Sequence, residues 1–302
     1  MNFEVVFLGT GAAVPSKTRG TTSQFVDIHG HTYLIDAGEG VQMALRREGL
    51  RFQRLRGIFI SHMHGDHVLG LPGLLSTMSL LGRKSPLTVW GPPVLESWLR
   101  ETWSMIGAHH TFDIHHHAWS LNDAMCLEMG SRHRLVAFPV KHRIACCGLR
   151  IEEHSLPWTL QKGHPQFASL SHEERRKLKR GEGVLHGGVE LRPDMCCDPP
   201  PKPRAYVYSA DTRPSERVRV QAQGAEVLYH DATFQSSDSD RAKATYHSTA
   251  AEAGRLASQA NVGTLVLGHL SQRYKSTDGL LAEAGQYHSH VLVAHDGMKL
   301  DL

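Results

Sequence analysis

Ile58-Phe59-Ile60-Ser61-His62-Met63-His64-Gly65-Asp66-His67 is the stretch from which the fold follows. It begins with apolar, β-branched and aromatic residues, the composition of a buried strand, and it stops where a helical pattern begins. Three imidazoles and a carboxylate at a strand's carboxyl end suit borderline divalent metals such as Zn2+. They also exceed the three protein ligands of a single catalytic zinc. Residues two apart on an extended segment face one side, so His62 and His64 can share one ion. Asp66 and His67, beyond the turn, can reach a second, which makes a two-metal site the natural inference. The bland alternative is a run of satisfied surface polar groups, but four donor side chains at this density have no packing role.

Around that stretch, apolar strands and amphipathic helices alternate. Phe3–Leu8 is a strand followed by a glycine-containing turn, and Gln24–Ile28 with His31–Ile35 flank Gly30 as a hairpin. Asp36 and Glu39 after the hairpin either hold metal-ligand histidines or form the turn. Val41–Glu48 reads as a short helix, Val68–Leu81 as a helix with Pro72 in its first turn, and Pro93–Ile106 as an amphipathic helix. His109, His110, His115, His116 and His117 have no carboxylates to converge with and read as exposed polar sequence. The arginines at 46, 47, 51, 54 and 56 read as a solvated face. Strands Leu135–Val140, Ala205–Ser209 and Thr264–Leu267 deliver His142, Asp211 and His269, and Glu226–Tyr229 leads into His230-Asp231-Ala232-Thr233-Phe234. Ser248 or Thr249 caps a helix over Ala250–Gln259. Each suspected donor emerges where a strand stops, the usual site location in α/β folds, and the element pattern predicts two sheets sandwiched between helical layers.

Between His154 and Arg204 the composition changes to a basic helical run, several glycines and Pro199-Pro200-Pro201, which reads as a protruding insertion. The 302 residues carry 40% hydrophobic and 21% charged residues and a formal charge of +3, an ordinary globular composition that does not by itself imply RNA. Five cysteines in two adjacent pairs and one single read as reduced thiols, with no structural zinc among them. There is no signal-like N-terminus and no apolar run of membrane length, so a cytoplasmic location without membrane contact is the default expectation.

His62-x-His64-x-Asp66-His67 with His142, Asp211 and His269 resembles the metallo-β-lactamase superfamily. Leu8-Gly9-Thr10 through Pro15-Ser16-Lys17-x-Arg19, Asp36-x-Gly38-Glu39-Gly40, and His230-Asp231-Ala232-Thr233-Phe234 followed by His247-Ser248-Thr249 resemble its ribonuclease Z branch. The resemblance runs over residues 1–302 and is weak only in the insertion. It implies a single α/β domain built as a four-layer αββα sandwich, active as a homodimer. It also implies two Zn2+ per subunit, His62, His64 and His142 holding one, Asp66, His67 and His269 the other, and Asp211 bridging. Mn2+ or Fe2+ would suit the same nitrogen and oxygen donors. The implied reaction is attack of metal-activated hydroxide on a phosphodiester of precursor tRNA, releasing the 3′ trailer. Asp66 would serve the nucleophile, His247 the leaving oxygen, and Asp231 would orient His247.

The branch commonly has glutamate where this chain has Asp231, which predicts a longer or water-bridged link to His247. It commonly has asparagine at the position of Gly20. Residues 154–204 read as a divergent form of the branch's tRNA-binding arm, with Arg175, Arg176, Lys177, Lys179 and Arg180 contacting backbone phosphate. Lys17, Arg19 and Arg273 complete the expected RNA contacts. A hydrolase of a small phosphodiester, lactone or thioester is the competing expectation. A non-catalytic RNA-binding scaffold is a third, and it does not need all seven donors.

Overall fold

The computed structural model describes residues 2–302, and alternating hydrophobicity builds two sheets of seven strands in it. The first half of the chain supplies β1 (Phe3–Gly9), β2 (Ser23–Ile28), β3 (His31–Ile35), β4 (Leu55–Phe59), β5 (Leu87–Gly91) and β6 (Ile114–Ala118). Next come β7 (Met125–Met129), β8 (His133–Pro139) and β9 (Cys147–Glu153), then the short strands β10 (Thr159–Leu160), β11 (Val184–His186), β12 (Val189–Leu191) and β13 (Cys197–Asp198). The chain continues through β14 (Ala205–Tyr208), β15 (Val227–Asp231), β16 (Thr264–Gly268), β17 (Val291–Val293) and β18 (Lys299–Asp301). The sheet orders are β18-β1-β2-β3-β4-β5-β6 and β17-β16-β15-β14-β9-β8-β7. The C-terminal strand thus returns to the first sheet, antiparallel to β1.

Helices α1 (Val41–Arg47), α2 (Gly65–Val68), α3 (Leu71–Leu80) and α4 (Leu95–Ile106) belong to the first half. In the insertion lie α5 (His172–Lys179) and α6 (Pro193–Cys196), and α7 (Glu216–Ala222), α8 (Ser239–Thr245), α9 (Ala250–Gln259) and α10 (Asp278–Gly285) follow. Successive residues of a strand face opposite sides, so each sheet feeds two cores. Val5 and Phe7 of β1 join Tyr33, Phe59, Tyr206, Tyr208 and Tyr229 between the sheets, where Phe7 stacks on Tyr229 at 5.6 Å. Val6 and Leu8 share a cluster with Leu45 of α1, Leu74 of α3 and Leu99 of α4. On the second sheet Val207, Leu228 and Leu265 join Val218 of α7 and Leu256 of α9. The result is the four-layer αββα sandwich. Burial of each such side chain contributes about 1.5–3 kcal/mol before the entropy of ordering it is counted.

Two local expectations are corrected. The helix expected over 68–81 breaks into α2 and α3, because the chain there passes close to the loop after β3. Gly70 donates to the Ala37 carbonyl at 2.8 Å, and a Cβ on Gly70 would lie 2.1 Å from the Gly38 carbonyl oxygen. Pro72 does sit in the first turn of α3. His115 and His117 are exposed as expected, but with the half-buried His116 they form part of edge strand β6, paired parallel with β5, which the polar reading did not include. His110 packs edge-on against Trp103 at 3.8 Å.

Residues 152–204 form a compact unit of their own. Its neck is closed by Glu153, which accepts from the Arg204 backbone at 2.9 Å and from its guanidinium at 2.6 Å and 3.0 Å. Leu170, Leu178, Val184, Leu191, Cys196 and Cys197 make a small buried core with Trp158 and Leu160 packed against it. Helix α5 starts with a capping box between Ser171 and Glu174. The other oxygen of Glu174 meets His186 Nδ1 at 2.9 Å, and His186 Nε2 meets Ser169 at 2.9 Å, tying the helix to the β11–β12 hairpin.

Candidate metal centre and active site

Seven donor side chains, distant in sequence, meet at one end of the sandwich. The loop after β4 carries His62 and His64, and α2 carries Asp66 and His67. The segments following β8, β14 and β16 bring His142, Asp211 and His269. Ligand atoms of His62, His64, His142 and Asp211 lie within 4.8 Å of one another, as do those of Asp66, His67 and His269. Asp211 lies between the two groups: Oδ2 is 3.6 Å from His62 Nε2 and 3.3 Å from His269 Nε2, and Oδ1 is 3.4 Å from His67 Nε2. The backbone is strained where it enters the site. Ala13, Asp36, Ala210, Tyr246 and His269 all have φ between 53° and 65°, a region non-glycine residues rarely occupy.

Hydrogen bonds fix which nitrogen three of the imidazoles, His67, His142 and His269, present. His67 Nδ1 donates to Asp36 Oδ2 at 2.8 Å, and His142 Nδ1 donates to the Tyr246 carbonyl at 3.1 Å. His269 Nδ1 lies 2.8 Å from Thr233 Oγ1, whose own proton goes to Asp231 Oδ1. Each Nε2 therefore turns its lone pair inward. Asp36 also accepts from the backbone and hydroxyl of Ser61, both at 2.7 Å, and from the Tyr208 hydroxyl at 2.6 Å. Glu39, the other candidate for this holding role, is exposed, and its backbone carbonyl accepts from Thr21.

The donor set fits divalent metal. Burial lowers the proton affinity of His62, His64 and His142, favouring the neutral, ligand-competent imidazole. His62 Nε2 and His142 Nε2 face His64 Nδ1 at 2.9 Å and 3.2 Å, a convergence of lone pairs that a shared cation relieves. Burial also opposes charge on His67, but Asp211, Asp66 and Asp36 outweigh it and raise its affinity for a proton. A cation would answer the same negative field. His67 Nε2 and Asp211 Oδ1 are buried without a hydrogen-bond partner among the described residues, a costly arrangement unless an ion completes it.

Beside the donors stands His247. Its Nδ1 meets Asp231 Oδ2 directly at 2.8 Å, which corrects the expected longer or water-bridged link. Asp231 is the last residue of β15 and is fully buried. There Asp231 also accepts from Thr212 N at 3.0 Å and from the backbone and hydroxyl of Thr233 at 3.0 Å and 2.8 Å. Burial works against an imidazolium at His247, but the Asp231 carboxylate more than offsets it and raises the pKa to about 9. The His247 ring stacks on His269 with centroids 5.0 Å apart.

A cleft of about 550 Å³ opens onto this cluster and is lined by His64, Asp66, Asp211, His247 and His269 together with Arg143, Arg241, Arg273 and Phe234. Arg273 lies 5.1 Å above the Phe234 ring and 3.3 Å from Asp238. Lys17 is exposed and lines an adjoining hollow with Lys275 and Ser276. Arg19 departs from expectation: Nη1 is committed to Thr10 Oγ1 and the Ala294 carbonyl, both at 2.6 Å, so it braces the fold. In α5, Arg175 is held by the Phe167 carbonyl and ring and Lys177 by Glu173, and just past its end Arg180 is held by Glu182. Arg176 and Lys179 are exposed and have no carboxylate partner among the described residues. Sequence reasoning missed Thr233, Ser61, Tyr208 and Trp119, whose indole donates to the Ile60 carbonyl at 2.9 Å. Thr233 and Ser61 lie inside the quoted motifs; Tyr208 and Trp119 carry no local signal.

Ribonuclease Z of Parabacteroides distasonis is 35% identical over 100% of this chain and 99% of its own length. That of Haloarcula marismortui is 36% identical over 99% and 96%. The crystal structure of the short form of human tRNase Z superposes with a TM-score of 0.72 at 26% identity, covering 98% of both chains. A family model described as anti-Pycsar protein Apyc1 matches residues 3–157, the half that carries His62 to His67 and His142. Similarity of this extent places the whole chain in the ribonuclease Z family, and its residues 3–157 also in the family described as anti-Pycsar protein Apyc1.

Proposed function

We propose that this chain is a metal-dependent endoribonuclease that removes the 3′ trailer from precursor tRNA, acting as a cytoplasmic homodimer. The observation that carries the reading is the direct His247–Asp231 pair beside the seven expected metal donors, with ligand atoms of the pair within 4.8 Å of those of Asp211 and His269. Family membership supports the substrate. Two Zn2+ per subunit are proposed, one with His62, His64 and His142, the other with Asp66, His67 and His269, and Asp211 between them; Mn2+ or Fe2+ would be accepted by the same donors. When bound, such ions supply Lewis-acid charge to a phosphoryl oxygen and make water acidic enough to attack near neutral pH.

The side chains do the rest. Asp66, with Oδ2 3.3 Å from His269 Nε2 and a hydrogen bond from Ala13 N, is placed to orient the attacking water and take its proton. His247, its proton affinity raised and its ring fixed by Asp231, is placed to give a proton to the leaving 3′ oxygen. Lys17 and Arg273 are proposed to meet phosphates of the strand entering the cleft. Arg176 and Lys179 of the inserted unit are proposed to grip tRNA by backbone charge.

The test is cleavage of a precursor tRNA carrying a 3′ trailer, with the cut mapped at nucleotide resolution, for wild type and His247→Ala. The expected products are a tRNA with a 3′ hydroxyl and a 5′-phosphorylated trailer, and their loss in the variant. Turnover of bis-p-nitrophenyl phosphate without any cut in the RNA would favour the small-phosphodiester reading.

A further inference from the structure

The loop between β1 and β2 leads to a residue outside the donor cluster. Ala13, Val14, Pro15, Lys17 and Thr18 are exposed, so packing does little to place them. Yet the Ala13 amide, at φ 65°, donates to Asp66 Oδ2 at 2.8 Å. Its neighbours are tied to the segment after β16, Ala12 N to the Leu270 carbonyl at 3.1 Å and the Val14 carbonyl to Gln272 Nε2 at 2.8 Å, and a left-handed alanine there also needs the two ends of the loop held together. Asp296, between β17 and β18, makes that closure. Its Oδ1 accepts from Thr10 Oγ1 at 2.8 Å and its Oδ2 from Gly20 N at 2.6 Å, joining the two ends of the loop. The Arg19 guanidinium, on Thr10 Oγ1 and the Ala294 carbonyl, brings compensating charge, and Gly11 N donates to the Gly20 carbonyl at 2.9 Å just inside.

We infer that Asp296 is a positioning residue for Asp66: it closes the neck of the 10–20 loop and so holds the Ala13 amide on Oδ2 of that carboxylate. This rests on the reading that Asp66 serves hydrolysis. The same oxygen faces His269 Nε2 at 3.3 Å and His67 Nε2 at 3.6 Å, so the Ala13 bond sets the rotation in which the carboxylate meets the second donor group. Groups that orient metal ligands in this way change affinity or activity about 10–100-fold when removed.

The test compares Asp296→Ala, Asp296→Asn and Thr10→Val. Asp296→Ala removes both closures and should lower kcat on precursor tRNA about tenfold or more, with KM within about twofold, and should weaken metal retention about tenfold in a chelator competition. Asp296→Asn can still accept from Gly20 N and donate to Thr10 Oγ1, so it should recover most of both. Thr10→Val, nearly isosteric, should show a smaller loss in the same direction even if the alanine variant does not fold. The chelator competition uses no RNA, so it stands whether or not tRNA is the substrate. Unchanged metal retention and kcat in a folded Asp296→Ala protein, a loss confined to KM, or an asparagine variant as damaged as alanine would each overturn the inference.

Discussion

Asp231→Asn tests the proposed division of labour most directly. In the wild type burial opposes charge on His247, but the Asp231 carboxylate, with a smaller contribution from Asp211, outweighs it and raises the pKa from 6.5 to about 9, a net shift that at about 1.36 kcal/mol per unit favours the imidazolium by roughly 3 kcal/mol. Asparagine keeps the shape but loses the charge. Its amide must also face either Thr233 or the Thr212 and His247 donors, all of which now point at an acceptor. If His247 then returns towards 6.5, its protonated fraction near pH 8 falls about 30-fold, and kcat/KM on precursor tRNA should fall with it. The activity of an acid is lost as pH rises through its pKa, so the alkaline limb should move down by about two and a half units in the variant. Cations bound nearby lower the pKa in both proteins alike, which makes the separation of the two limbs the quantity to measure. On bis-p-nitrophenyl phosphate, whose leaving group departs as a stabilised phenolate and needs no proton, the loss should be small. Coincident alkaline limbs, or equal losses on both substrates, would refute the reasoning. The sign for stability follows too: the folded-state pKa is raised, so the pair stabilises the fold fully below about pH 6.5 and stops doing so as pH climbs through about 9.

Asp211→Ala removes the carboxylate lying between the two donor groups and should reduce the metal content of the purified protein by elemental analysis, while His247→Ala should retain the wild-type content; loss in both would refute the separation of roles. Tyr208→Phe deletes one of the bonds to Asp36 and should cost about 1 kcal/mol, read as a lower urea midpoint at unchanged slope. Deleting 157–202 should raise KM for precursor tRNA at least tenfold and spare the small ester, whereas an unchanged KM would remove the inserted unit from substrate binding. Replacing Arg176 and Lys179 with alanine should make the logarithmic dependence of RNA binding on salt shallower by about one to two charges; an unaltered slope would mean these cations face solvent in the complex.

The donor residues were legible because metal chemistry forces several of them into a few positions, and because strands that feed a site end in it. His62 to His67 announced the first sheet, and the single residues His142, Asp211 and His269 could be found by asking where apolar runs stop. The edge elements were not legible. Strand β6 is Ile-His-His-His-Ala, with neither face apolar enough to alternate, and it is specified by pairing with β5. The core of the inserted unit is gathered from single residues, one each from α5, α6, β11, β12, β13 and the segment before α5, too scattered for any period. The bracing role of Arg19 was not legible for another reason. Its charge suits phosphate, and the Thr10 hydroxyl and Ala294 carbonyl that claim it lie elsewhere in the chain, so only the folded molecule reveals them.

The left-handed residues at the site have a practical bearing on engineering this chain. Asp36 and His269 ask for two things no single amino acid supplies, a functional side chain and a backbone turn that glycine alone adopts without cost. Substitution at either would relax the main chain and forfeit chemistry at once. Selection for heat tolerance would therefore gain little around the cleft, and increments would have to come from helix surfaces and peripheral loops, leaving the catalytic end under tension in every improved variant.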